Sequence, residues 1–82
     1  MSIIIGWCQL KEETEASMLI AYSLNNNQSC DGELLYDKNT QQVTIKKLSE
    51  GSSEYWTKHF MGPLRSRIRK GMESPKKYMI AS

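Results

Sequence analysis

Hydrophobic and polar positions change their period along this chain. In "SIIIGWCQL", residues 2–10, apolar side chains fall at both odd and even positions. β-Branched and aromatic residues arranged this way predict a strand covered on both faces, hence central in a sheet. After the charged connection "KEETE", residues 16–24 alternate. Ala16, Met18, Ile20, Tyr22 and Leu24 share one side, and Ser17, Leu19, Ala21 and Ser23 share the other. That predicts a second strand with one strongly apolar face and one mild face. "NNNQSCDG" follows as a polar loop, because Asn, Ser, Asp and Gly compete with ladder hydrogen bonds and accept turn geometry. "ELLYD" and "QVTIKKL" then flank "KNTQ", a hairpin whose alternating charges suit the edge of a sheet.

Beyond "SEGSS" the period lengthens to that of a helix. Ser52 or Ser53 is placed to cap it. Trp56, Phe60, Leu64 and Ile68 recur every four residues, with Met61 beside them, and make one apolar stripe. Gly62-Pro63 interrupts the stretch, and proline's missing N–H and steric clash predict a kink or a break there. Because the stripe continues across it, both halves pack on the same sheet. Gly71 and Pro75 end the helical stretch, and "KKYMIA" forms a last short strand.

The element order is thus β-β-β-β-α-β in a single α+β domain, residues 1–82. A four-strand meander makes each neighbour antiparallel, the helix crosses back over one face, and the fifth strand docks beside the first. The expected order is 5-1-2-3-4, a mostly antiparallel sheet with the two most apolar strands inside, the hairpin at one edge and one kinked helix on one face. The packed face is expected to join Trp56, Phe60, Leu64 and Ile68 to the even side of the second strand.

Charge adds an asymmetry that the net value of +2 hides. Residues 1–54 hold four lysines against eight acids, whereas residues 55–82 hold seven cations against Glu73 alone. Such a split marks a binding surface, or two halves that attract one another. Residues 64–71, "LRSRIRKG", concentrate the positive charge. On a continuous helix Lys58, Arg65 and Arg69 share one line, and Lys70 lies farther round. Arg67 projects close to Phe60, so its stem is expected to cover the sheet edge while its head reaches water. A solvated helix face with dipole-complementing cations explains most of this pattern. Only the sign bias, with no acid between Tyr55 and Gly71, points to phosphate binding.

Reactive chemistry is sparse. Cys8 and Cys30 have no metal-site or redox spacing and read as free thiols in a reducing compartment. His59, the only histidine, projects toward solvent without an orienting partner. The acids at 12, 13 and 15 and those in "CDGELLYD" lack the spacing of a calcium loop, and no phosphate-cradling glycine loop occurs. No catalytic residue, cofactor or metal is therefore expected. No segment approaches the roughly 20 apolar residues of a membrane span. The opening apolar run is too short for a secretory signal, so a cytoplasmic protein is expected.

Two readings follow. The first is a small non-catalytic intracellular interaction module that binds a protein partner or forms a homodimer, with Leu19 and Ala21 on the mild face of the second strand as the association surface. The second is a nucleic-acid-binding module using the basic helix, residues 58–70, with Lys58, Arg65, Arg69 and Lys70 as its surface. Base stacking in that reading calls for exposed aromatic residues among the cations, for which Tyr55 and Tyr78 are the candidates.

Overall fold

Tight polar turns let consecutive strands fold back on one another. A computed structural model describes residues 5–25 and 28–81. It contains β1 (Ile5–Glu13), β2 (Ser17–Ser23), β3 (Gly32–Asp37), β4 (Gln42–Lys47), α1 (Glu54–Lys70) and β5 (Lys77–Ala81). Between β1 and β2, the Thr14 hydroxyl accepts from the Ala16 and Ser17 amides at 3.2 and 3.0 Å. Between β3 and β4, an Asp37 carboxylate oxygen accepts from the amides of Asn39 and Thr40 at 2.8 and 3.2 Å, the side chain standing in for a backbone turn. All four strand pairings are antiparallel, and the sheet order is β4-β3-β2-β1-β5. This is the order that the apolar pattern predicts. A register shift between Leu10 and Glu12 leaves Lys11 as a bulge in β1.

The helix meets both expected caps. Ser53 accepts from the Trp56 amide at 3.3 Å, and the Gly71 amide donates to the Ile68 carbonyl at 3.0 Å. Gly71 has a φ of 99°, a conformation that L side chains rarely adopt. The helix runs from Glu54 to Lys70 without a break at Gly62-Pro63. Its packing against the sheet on both sides of Pro63 offsets the lost backbone hydrogen bond, with Phe60 and Leu64 both buried.

The core lies between α1 and one sheet face, formed by Cys8, Leu10, Met18, Ile20, Tyr22, Leu34, Tyr36 and Ile80 with Phe60, Met61 and Leu64. Ile68 packs against it half-buried, but Trp56 does not belong to it and is 45% exposed. Thr57 takes the inward place instead, fully buried, because its hydroxyl finds the Tyr22 hydroxyl at 3.0 Å. The Tyr22 hydroxyl also accepts from the Ser49 amide at 3.0 Å. This junction ties β2 to α1 and to the β4–α1 loop. Two glycines make room for it: a Cβ at Gly6 would collide with the Phe60 ring, and one at Gly32 with the Tyr22 ring.

Strand β1 is central, paired with β2 and β5, but only its Gly6–Cys8–Leu10 side is buried. Ile5, Trp7 and Gln9 are half-buried on the opposite face, so the expected cover on both faces is not found. An antiparallel sheet tolerates one wet face, and the single helix has only one to give.

Candidate functional site

Each cation of the basic helix has its own environment. Lys58 pairs with Glu54 at 3.0 Å, one turn earlier, so the acid just outside the acid-free stretch neutralises its first member. Arg65 is half-buried, with its Nε buried and unpartnered. Arg69 and Lys70 are exposed. Within the line of Lys58, Arg65 and Arg69, Lys58 thus carries its own counter-charge, although its side chain stays 64% exposed. Arg67 lies at the sheet edge, as its position on the helical wheel implies. Its guanidinium sits 4.6 Å from the centre of the Tyr78 ring and donates to the Gly71 carbonyl at 3.2 Å. Lys76 covers the same ring at 5.1 Å. Tyr78 also receives the Glu73 amide on its hydroxyl at 2.9 Å, which fixes the ring that positions Arg67.

These contacts build a groove of about 350 Å³ between α1 and β5. Pro63, Ser66, Arg67 and Lys70 form its helical wall, at spacings of three, one and three that place them on one stripe. Met79, Ile80 and Ala81 form its other wall. β5 ends the sheet, so among the described residues no strand pairs with its outer edge. The two sheet edges differ in degree. β4 carries Lys46 and Lys47, charges that discourage edge-to-edge pairing, whereas the one charge of β5, Lys77, stands at its start and donates to the Gln28 carbonyl, and beyond it the strand presents Met79, 57% exposed, and Ala81. The two ion pairs among the described residues are Glu13–Lys38 and Glu54–Lys58, so no carboxylate of a described residue pairs with Arg67 or Lys70.

At the other end of α1, Tyr55 is 62% exposed and packs edge-on against Trp56 and His59, at 5.1 and 4.6 Å between ring centres. Lys58 adjoins this cluster. His59 is exposed, as its helical position implies. Arg65 follows His59 by six residues, a rise of about 9 Å, so aromatic and unpaired cationic surfaces occupy different parts of the helix. Tyr78, the other aromatic candidate, is half-buried between Arg67 and Lys76.

On the uncovered sheet face, Leu19 is half-buried opposite Leu35. Ala21 is only 2% exposed between Gln9 and Glu33 and offers almost no surface to a partner. Trp7 and Met79 are cross-strand neighbours on this same face.

Neither thiol is set up as a nucleophile. Cys8 and Cys30 are free and buried. Burial pushes the Cys8 thiol up to about 12, aided by the Cys30 thiol and opposed by Arg67, so the thiolate is absent at neutral pH. Burial also raises Cys30, against a hydrogen bond to Ser23 and the Lys77 charge. The Asp31 carboxyl is held below its usual range by the Ser49 hydroxyl at 2.5 Å and the Glu50 amide at 3.1 Å, a clamp between two loops. No cluster of three metal-ligating side chains occurs among the described residues, and no helix there is long and apolar enough to cross a membrane. The groove's key residues are Arg67, whose wheel position was the only sequence signal, and Met79, for which there was none. The chain shows no significant match to any family model, curated protein or solved structure.

Proposed function

We propose that this protein is a small non-catalytic, intracellular interaction module that binds a protein partner along the edge between α1 and β5. The observation that carries this reading is the edge of β5, apolar beyond Lys77 and unpaired among the described residues, beside a helical wall that bears Arg67 and Lys70. An edge strand of this kind is a template for a further strand unless something guards it. The depleted chemistry of the rest of the surface and the two neutral buried thiols support a binding role over a catalytic one. Near-complete burial of Ala21 favours this edge over the face around Leu19. Affinity capture from the source cells tests the reading, comparing the parent with Met79→Glu and Lys70→Glu. Both sites are exposed, so both variants should fold. A protein that is retained by the parent under nuclease treatment and lost by both variants is the expected result. A partner held equally by all three would remove the edge from the account.

A second reading rests on the exposed Tyr55–Trp56–His59 cluster beside Lys58, a stacking surface for single-stranded nucleic acid. Three cations along the helix would give a salt slope of about −2 on a single strand and weak, sequence-independent affinity. Fluorescence anisotropy with single-stranded DNA and structured RNA across salt decides it. Submicromolar binding at physiological salt, abolished by Arg65→Glu with Arg69→Glu in a folded protein, would put this reading first.

A further inference from the structure

Resting on the proposed role of this edge, we infer that its occupant is an extended peptide segment with carboxylates at alternate positions, which adds as a sixth strand to β5. Charge and spacing together identify it. α1 lies on one side of the sheet, so every second side chain of an added strand would point toward the helix stripe. Side chains two apart on a strand are about 6.6 Å apart. Arg67 and Lys70, three apart on the helix, have Cβ atoms about 5–6 Å apart, a close match for two successive acids. Both cations lack a carboxylate partner among the described residues, and the Arg67 Nε is buried without a hydrogen-bond acceptor. Tyr78 and the Gly71 carbonyl hold the Arg67 guanidinium in place, so little ordering remains when a carboxylate arrives. On the other face the intervening side chains would lie beside Met79 and Ala81, which suits small apolar residues. Main-chain hydrogen bonds to the β5 edge supply affinity, and the alternate acids supply selectivity.

The experiment uses the whole protein and an acetylated, amidated hexapeptide that alternates valine and glutamate. Its controls are the same peptide with glutamines, with lysines, and with the same composition but the glutamates adjacent. Binding is followed by isotope-resolved amide exchange of residues 77–81. The alternating glutamate peptide is expected to protect these amides. The glutamine peptide should bind about tenfold more weakly, as should the parent peptide to Lys70→Glu. The adjacent-glutamate peptide should also lose affinity, since one acid then points away from the helix. Equal binding of the glutamate, glutamine and lysine peptides at β5 would overturn the acidic selectivity while leaving the edge as a docking site. Protection confined to residues 55–66, or none at millimolar peptide, would overturn strand addition. Protection of β5 that rises with protein concentration alone would replace the peptide by a second copy of this chain. Protection by single-stranded DNA equal to that by the peptide would likewise overturn the proposal. None of these peptide outcomes depends on the cellular capture that tests the edge itself.

Discussion

Replacing Tyr22 by Phe removes one oxygen atom and leaves the ring stacked on Phe60, 6.0 Å between centres. The lost hydroxyl serves two buried groups, the Ser49 amide and the Thr57 hydroxyl, both at 3.0 Å. Tyr22, Ser49 and Thr57 are at most 2% exposed, so water does not replace the missing partner. An orphaned buried donor costs about 1–3 kcal/mol. Thr57 recovers part of its loss by turning its hydroxyl to the Ser53 carbonyl one turn back. The Ser49 amide has no such option, since its position is set by the loop clamped on Asp31. The sum is about 2–4 kcal/mol. A domain of this size has about 4–12 kcal/mol of total stability. The melting temperature should fall by about 10–25 °C. Urea unfolding followed by tryptophan fluorescence, with the m-value unchanged, measures the effect. Tyr36→Phe is the control, because Tyr36 lies in the same core but takes no part in the Tyr22–Ser49–Thr57 junction, and it should lie within about 0.5 kcal/mol of the parent. A Tyr22→Phe protein that melts within about 2 °C of the parent would refute the junction as described.

Phe60→Ala should cost about 3–5 kcal/mol, whereas Trp56→Ala should stay within about 1 kcal/mol because its ring is 45% exposed and lies outside the core; comparable losses would reverse the assignment of the packed face. Gly6→Ala should destabilise despite alanine's better backbone propensity, because its methyl group meets the Phe60 ring, and restoration of stability in Gly6→Ala with Phe60→Leu would show that the clash is the cause. Cys8 should resist alkylation until the protein unfolds, and rapid labelling of the native protein at neutral pH would contradict its burial. Since the Cys8 thiol titrates near 12 when folded and near 9.0 when unfolded, its contribution is complete below pH 9 and is lost toward pH 12 by about 1 kcal/mol per pH unit; Cys8→Ala should flatten that slope. Asp31 has the opposite sign: its lowered value stabilises above the ordinary carboxyl range and the contribution disappears on acidification, so Asp31→Asn should reduce the loss of stability below pH 4.

The strand order was legible because β1 and β2 are the most apolar segments and short polar turns leave little choice of connection. The helix ends were legible because Ser53 and Gly71 are strong caps. The place of Trp56 was not. Its spacing from Phe60 is that of an inward residue, but Thr57 wins the buried position through a hydroxyl that satisfies Tyr22, a partner remote in sequence. The cover expected on both sides of β1 failed for a similar reason, since one helix cannot cover two faces and an apolar run does not say which face it covers. Pro63 suggested an interruption, and tertiary packing carried the helix through it. The basic stretch showed its sign bias but not its geometry. The ion pair between Glu54 and Lys58 follows from their i,i+4 spacing on one helix, whereas the hold of Tyr78 on Arg67 depends on which turn faces which strand.

The central claim is that a partner binds along the α1–β5 edge. Backbone amide mapping of the isotopically labelled protein, titrated with the protein captured from its source cells, tests this most directly. The account predicts that the shifts concentrate at residues 66–70 and 77–81 and vanish in Met79→Glu. Shifts centred instead on Leu19 and Leu35, or on Tyr55, Trp56 and His59, with β5 unmoved, would contradict it.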